Sequence, residues 1–279
     1  MVGHYRANVH EGLASPLTLT SASFDLDTAY DNQIAVEGEV VLLNTLESMK
    51  TFDRKAAALS SVTKVRDDVL SGACYDSPSK LNRFVVLCYA DLKQYTFYYW
   101  VCVPAVKTSD PIVFEGETAA AGAVAGASAE LCKACDDFHQ QTRGRVPLWL
   151  VEETGGGEYV CRELENWKDL GERMDKVSVA HVDISHTEDN PGWPLRNFLF
   201  FLAGCAWGAE SLVIIGLKEE KSGRFSPQRT TRFRVRLPSS ETFPKISQVG
   251  AGAPTQVMGW EHNARGGLGT HAILETNLI

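Results

Sequence analysis

The sequence has no long hydrophobic run and no excess of basic residues. Its longest apolar stretch, Phe198 to Trp207, is about half of the roughly 18 residues that a membrane-spanning helix needs. The first residues, MVGHYRANVHEG, do not combine a charged start with an apolar core as a signal peptide does. With 27 Lys and Arg against 35 Asp and Glu, the net charge is -8, which argues against sequence-independent nucleic-acid binding. We therefore expect a cytoplasmic protein with no membrane span and no nucleic-acid partner.

Common catalytic and cofactor motifs are also missing. The sequence contains no HExxH, no GxSxG and no repeat of fixed period. GLGTHA, residues 267–272, matches a dinucleotide fingerprint, but no apolar strand precedes it. The triple glycine of TGGGEY lacks the Lys-Ser/Thr of a phosphate loop and indicates a hairpin turn instead. The closest histidines, His181 and His186, are expected to be hydrogen-bonded polar residues near a sheet end. We expect this chain to bind no cofactor.

The seven cysteines are an odd number, and most lie singly in apolar surroundings, which is typical of reduced thiols packed as small hydrophobes. Cys132, Cys135 and His139 differ, because they fit CxxC followed by a histidine. This spacing could provide part of a zinc site or a redox pair. Zinc needs four ligands, however, and there is no second CxxC or HxxxH. A metal- or thiol-dependent enzyme that uses these three residues is the competing functional hypothesis.

The hydrophobic patterns predict an α+β fold. With 44% apolar residues in 279, the chain can bury a sizeable core in one large domain or two lobes. Helices are predicted near Asn44, from Asp53 to Leu70, in the second half of residues 116–141, and from Pro194 to Gly208. Strands are predicted in IAVEGEVVLL, RFVVLCYA, YTFYYWVCV, VPLWLVEE, EYVCREL, KVSVAHVDI, SLVIIGLK and RTTRFRVRL. Short links join several strands into hairpins, and the order lacks regular βαβ alternation. We therefore expect antiparallel sheets built from hairpins and packed with a few helices.

The segment DNPGWPLRNFLFFLAGCAWG, residues 189–208, is predicted to form the central helix of this fold. Pro194 can occupy a first-turn position, because its φ is already helical and no N–H is needed there. Apolar residues then recur at helical spacing at positions 195, 198, 199, 202 and 206, so the helix should be buried nearly all round. We expect Trp193, Arg196 and Asn197 to remain exposed at its start.

The strand RTTRFRVRL carries the clearest charge pattern. Period-two alternation places Arg232, Arg234 and Arg236 on one face and the apolar residues between them on the other. Such a face is either the solvated outside of a sheet or a docking stripe for an acidic peptide, which Arg224 and Arg229 would reinforce. Both interpretations stay open at this point.

Three segments together resemble the N-terminal domain of the autophagy-related protein 7 family, the activating enzymes for the ubiquitin-like modifiers of autophagy. They are FVVLCYADLKQYTFYYWVCVPA, DNPGWPLRNFL and VMGWEHNARGGLG, in this order and spacing. The motifs PGWPLRN and GWE-N, in which the dash stands for any one residue, are the specific part of the resemblance. Their residues, expected to be structural, are Pro191, Gly192, Trp193, Pro194, Leu195, Arg196, Asn197, Gly259, Trp260, Glu261 and Asn263.

The resemblance implies a fold and a role for residues 1–279 as one docking domain. In that family the domain recruits conjugating enzymes, so that activated modifier can pass to them for modifier lipidation and autophagosome assembly. Family members continue into an adenylation domain with the catalytic cysteine, and that domain is not among these residues. ATP, magnesium and the modifiers would bind there. The resemblance transfers no catalytic residue and no metal ligand to this chain. It makes Arg232, Arg234 and Arg236 a hypothesis for the partner contact.

Overall fold

The computed structural model describes residues 1–10, 12–13, 15–25, 30–106, 113–114, 127–169, 176–187, 191–204, 211–237, 257–258, 261–262 and 268–269. Within them the helices are α1 (Leu46–Thr51), α2 (Arg54–Leu70), α3 (Ala73–Asp76), α4 (Ala129–Gln141) and α5 (Pro194–Gly204). The first eight strands in chain order are β1 (Val2–Tyr5), β2 (Ile34–Leu43), β3 (Arg83–Asp91), β4 (Thr96–Cys102), β5 (Ala105–Val106), β6 (Val113–Phe114), β7 (Leu148–Gly155) and β8 (Glu158–Arg162). The remaining strands are β9 (Val177–Val182), β10 (Ser211–Leu217), β11 (Thr231–Arg236), β12 (Val257–Met258), β13 (Glu261–His262) and β14 (Leu268–Gly269).

Local side chains fix the helix ends. Thr45 caps α1 by accepting a hydrogen bond from the Ser48 amide at 3.0 Å, one residue later than the predicted start at Asn44. Asp53 caps α2 in the same way, with its carboxylate 2.8 Å from the Ala56 amide. Gly72 has φ +79° and follows the last turn of α2, so the predicted stop is confirmed.

Two mixed sheets form the body of the fold. The four-stranded sheet has the order β1-β2-β3-β4, and the six-stranded sheet has the order β6-β11-β10-β9-β7-β8. The hairpins β3/β4, β7/β8 and β10/β11 are antiparallel, as predicted. In each sheet, however, one pair is parallel, β2 with β3 and β9 with β10. Helices lie between these strands in the chain, and such crossovers return the chain in the same direction. The α+β class is confirmed, whereas purely antiparallel sheets are not.

Three clusters of buried side chains hold these layers together. The first core cluster joins one face of the six-stranded sheet to α2 and α5. The second joins the opposite face of that sheet to α4 and to one face of the four-stranded sheet. The third packs α1 and the start of α2 on the other face of the four-stranded sheet. Among the helices of the described ranges, none combines the length and the apolarity needed to cross a membrane.

Candidate docking surfaces

The PGWPLRN motif forms a tightly packed turn into α5. The Asp183 carboxylate follows β9 and accepts hydrogen bonds at 2.9 Å from the amides of both Ser185 and Gly192. A Cβ at Gly192 would lie 2.4 Å from a side-chain carbon of Ile184, so this close approach requires glycine. Trp193 is half-buried and packs edge-to-face on Tyr5, with ring centroids 5.1 Å apart. The motif therefore fixes where the helix begins.

Asn197 corrects the expectation of an exposed helix start, because only 1% of it is accessible. Its Nδ2 donates to the Pro104 carbonyl at 3.1 Å, and its Oδ1 accepts from the Val106 amide at 2.9 Å. Arg196 is also half-buried rather than exposed, and burial lowers its pKa to about 10. Asn197 thus ties α5 to the segment that follows the first hairpin, a contact that periodicity does not encode.

The remainder of α5 agrees with the prediction of a helix buried nearly all round. Leu195, Phe198, Phe201 and Leu202 all lie in the first core cluster. The predicted stop at Gly208 lies outside the described residues. From Pro194 to Gly204 the segment is scaffold, and it offers little surface to a partner.

The GWE-N motif is only partly visible in the structure. Glu261 lies in β13, which pairs with β14 so that Glu261 is opposite Gly269. Gly259, Trp260 and Asn263 lie outside the described residues. Their expected structural role remains a prediction.

The arginine stripe, which we define as Arg232, Arg234 and Arg236, lies on β11 as predicted. The alternate residues Phe233 and Val235 are buried in the first core cluster. The three arginines therefore point to the other face of the six-stranded sheet, away from Phe233 and Val235. The buried residues on that face belong to the second core cluster. Alternation alone gave the correct facing of every residue in this strand.

The neighbouring strands decide how much of each arginine is exposed. Arg232, Arg234 and Arg236 lie opposite Ile215, Val213 and Ser211, respectively. Ile215 is fully buried, and the exposure of the arginines increases along the strand, from half-buried Arg232 and Arg234 to exposed Arg236. Arg232 and Arg234 also keep interactions within the chain. The stripe is thus a basic strip at the border of a packed face.

The two arginines expected to reinforce the stripe behave differently. The Arg229 guanidinium donates to the Asn8 carbonyl at 3.3 Å and also to the Glu219 carbonyl and the Asn8 side chain. Arg229 is therefore engaged in joining the β10–β11 connection to the N-terminal segment. Arg224 is exposed and lies near Asp136 of α4.

The cluster of Cys132, Cys135 and His139 lies on the buried side of α4. Burial raises the pKa of Cys132 to about 11, and a hydrogen bond to Cys161 together with burial raises that of Cys135. Burial lowers the pKa of His139 to about 4. In the part of the chain that the structure describes, no three His, Cys, Asp or Glu side chains are grouped to hold a metal. Since a thiol with a raised pKa is a poor nucleophile, the geometry gives the competing enzyme hypothesis no support.

The remaining cysteines and the pair His181 and His186 form no reactive cluster of their own within the described residues, and the expected side-chain hydrogen bonds of His181 are not observed. The six cysteines within the described ranges form no disulfide bonds with one another, in agreement with the expectation of reduced packing residues. His181 is buried on β9 and burial lowers its pKa, whereas His186 is exposed in the following loop. The two histidines do not form a site.

One surface was missed by the sequence analysis. The apolar sheet face, defined as Leu42, Cys88, Phe97, Tyr99 and Val101, lies on the side of the four-stranded sheet away from α1. Four of these residues are large hydrophobics with between 43% and 73% of their surface exposed. The sequence signal was the density of aromatic residues in β4, which predicted a strand without indicating which side stays uncovered.

Comparison with known proteins identifies the family. The family profile described as "Ubiquitin-like modifier-activating enzyme ATG7 N-terminus" matches residues 1–274. The ATG7 protein of Gallus gallus is 29% identical over 287 residues, which cover 97% of this chain and 38% of that protein. The Homo sapiens protein is 28% identical over 280 residues, with the same coverage. The chain thus spans 38% of the length of these relatives.

Solved structures agree on the fold. The Atg7NTD of Kluyveromyces marxianus superposes with a TM-score of 0.56 at 18% identity, covering 88% of this chain and 80% of that one. The same domain in the Atg7NTD–Atg10 complex gives a TM-score of 0.59 at 19% identity, covering 98% and 86%. Because the profile matches nearly the whole sequence and these structures share its fold, the chain belongs to the ATG7 N-terminus family of ubiquitin-like modifier-activating enzymes.

Proposed function

We propose that this chain is the docking domain of an autophagy activating enzyme and recruits the cognate conjugating enzymes, so that activated modifier can be transferred to them. The observation that carries the proposal is its likeness, over 98% of its length, to an Atg7NTD that forms a complex with Atg10. In this role the chain acts in the cytoplasm without a catalytic residue or cofactor of its own. As part of the same proposal, ATP, magnesium and the ubiquitin-like modifiers bind outside these residues.

The arginine stripe is the proposed contact for an acidic segment of the conjugating enzyme. Residues two apart on a strand are separated by about 6.8 Å, which matches alternate side chains of an extended peptide. Guanidinium groups bind carboxylates through two parallel hydrogen bonds. Phe233 and Val235 are packed in the core and hold the strand in place. Its backbone is therefore already ordered, and binding a partner costs little backbone entropy. In a chain of net charge -8, such a local basic strip supports selective binding of an acidic partner.

Titration calorimetry with the Atg10-type conjugating enzyme tests this proposal. We expect the triple substitution of Arg232, Arg234 and Arg236 to Ala to weaken binding about tenfold, since three partly exposed charge pairs contribute about 0.5 kcal/mol each. The loss should shrink in high salt, because the Debye length falls from about 10 Å at 0.1 M to about 3 Å at 1 M. The charge-matched control replaces three exposed lysines away from the stripe with Ala: Lys50, Lys55 and Lys93.

The outcomes separate the two parts of the proposal. Binding by the unaltered chain that only the arginine variant weakens supports both the recruitment role and the stripe. Equal weakening by both triple variants would show that net charge matters and the stripe does not. No heat of binding from a folded, unaltered chain would refute the recruitment role itself.

A further inference from the structure

Cys135 and Cys161 meet where α4 packs on β8. Cys135 is a core member of the second core cluster, and Cys161, which lies opposite Val151 in the β7–β8 hairpin, packs against that cluster. A hydrogen bond joins the two thiols, and it is the main reason that the pKa of Cys135 is raised. The two sulfur atoms are therefore neighbours, although the two cysteines belong to different elements of the fold.

The two thiols differ in their access to solvent. Cys161 is half-buried on β8, which is the end strand of the six-stranded sheet within the described residues. Cys135 is fully buried beneath it, with 0% of its surface accessible. A small oxidant from solution therefore reaches Cys161 first. An accessible thiol beside a second, resolving thiol is the arrangement found in reversible redox pairs.

Helix geometry disfavours a disulfide within the CxxC spacing itself. Cys132 and Cys135 are three residues apart on α4, where the Cβ atoms of such pairs are about 5–6 Å apart. A disulfide needs a Cβ separation of about 3.5–4.5 Å. Bonding Cys132 to Cys135 would therefore unwind α4, whose start is held by the Ser128 side chain, 3.1 Å from the Leu131 amide. The redox partner of Cys135 comes from β8 and not from its own helix.

We propose that Cys135 and Cys161 are a peroxide-sensitive modification site and form a reversible disulfide. The Cys161 thiolate attacks one oxygen of hydrogen peroxide, the O–O bond breaks, and Cys161 becomes a sulfenic acid while hydroxide leaves and takes up the Cys161 proton as water. The Cys135 sulfur then attacks the Cys161 sulfur. The S–S bond forms as the S–O bond breaks, and the oxygen leaves with the Cys135 proton as a second water. Two thiols are oxidised, one peroxide is reduced, and a dithiol reductant reverses the bond by exchange.

Contact between the thiols offsets the raised pKa of Cys135. Groups held in a reactive geometry behave as if present at effective concentrations that reach about 10⁵–10⁸ M, so a small thiolate fraction is sufficient. A sulfenic acid with no thiol beside it is instead oxidised further to sulfinic acid, which thiol reductants do not reverse. The pair therefore protects Cys161 from irreversible oxidation and links α4 covalently to β8.

Peptide mapping by mass spectrometry of the folded chain after hydrogen peroxide treatment tests the proposal. We expect one cross-linked peptide pair containing Cys135 and Cys161, about 2 Da lighter than the two thiol peptides together, and its loss on treatment with dithiothreitol. Cys88 is the control within the same chain, because it is half-buried and lies opposite Leu42 and Tyr99 instead of a cysteine. Its peptide should gain about 32 Da as sulfinic acid.

Two variants sharpen the test, and far-UV circular dichroism checks that each is folded. Cys135→Ala should leave Cys161 to accumulate sulfinic acid, whereas Cys132→Ala should form the same disulfide as the unaltered chain. If Cys135→Ala does not fold, the unaltered chain and Cys132→Ala still decide the matter.

A dominant disulfide that contains Cys132, or a Cys135–Cys161 bond that forms only in urea, would overturn the proposal. Sulfinic acid at Cys161 of the unaltered chain, without the cross-link, would overturn it as well, and so would an intact Cys161 thiol at a peroxide concentration that oxidises Cys88. Each measurement is made without a conjugating enzyme, so its result is independent of the proposed function.

Discussion

Replacing Asn197 with Ala is the sharpest test of how the central helix is held in place. The side chain joins α5 to the segment after β4 through hydrogen bonds to Pro104 and Val106, at 3.1 Å and 2.9 Å. Both bonds are buried and connect residues more than 90 positions apart, 93 and 91 in the two cases. Alanine removes the donor and the acceptor together, so the Pro104 carbonyl and the Val106 amide lose their partner.

The magnitude follows from the groups left behind. A buried backbone group without a partner costs about 1–3 kcal/mol, so two of them cost about 2–6 kcal/mol. That is a large part of the roughly 5–15 kcal/mol by which a domain is stable. Asn197→Asp should destabilise the fold at least as much. It keeps an acceptor for Val106 but places a buried carboxylate against the Pro104 carbonyl.

Urea unfolding followed by far-UV circular dichroism measures the effect. Asn166→Ala is the control, because the Asn166 side chain makes one exposed hydrogen bond, at 3.3 Å to the Glu163 carbonyl. We expect that control to change the free energy of unfolding by less than about 0.5 kcal/mol. If Asn197→Ala unfolded with the same midpoint and slope as Asn166→Ala, the reasoning from buried, partnerless backbone groups would be refuted.

Two further predictions concern α4. Burial lowers the pKa of His139 from 6.5 to about 4, because the buried site favours the neutral ring. The folded chain is therefore fully stabilised by the neutral ring above pH 6.5. This contribution to the free energy of unfolding is lost as the pH falls towards 4, and it amounts to at most about 3 kcal/mol. His139→Phe, which keeps a ring against Trp149 and Phe225, should flatten the dependence of the unfolding free energy on pH in this window; an unchanged slope between pH 4.5 and 7 would contradict the assignment. Cys132, buried and with its pKa raised to about 11, should react with iodoacetamide at pH 7.5 far more slowly in the folded chain than in urea. Mass spectrometry measures the rate, and rapid labelling of the folded chain would restore the thiol hypothesis.

Local sequence patterns predicted a helix or strand of this fold well where all the residues that form the pattern lie within that one element. The helix from Arg54 to Leu70 differs by one residue from its predicted start. The Arg/apolar alternation of β11 gave the correct faces, because side-chain direction in a strand depends only on its own period of two. The resemblance, carried by a few motifs, indicated the family from the sequence alone.

The candidate site was less predictable, because the exposure of a side chain depends on which distant segments of the chain pack against it. Asn197 looked like an exposed first-turn residue, yet the chain near Pro104 covers it. Arg229 looked like part of a basic surface, yet it is bound to Asn8 from the other end of the chain. Nothing near β4 in the sequence indicates that Tyr99 would face solvent while Trp100 is buried.

The sequence by itself determined the class of fold, the hairpins, the span of α2, the start of α5, and the family. These depend on periodicity, capping and turn residues within a few positions of one another. Only the tertiary structure decided the parallel pairings of β2 with β3 and β9 with β10, the burial of Asn197 and Cys132, and the open apolar sheet face. Strand order and burial come from contacts between distant segments. Local periodicity does not indicate which distant segment will pair with a strand or pack against a side chain.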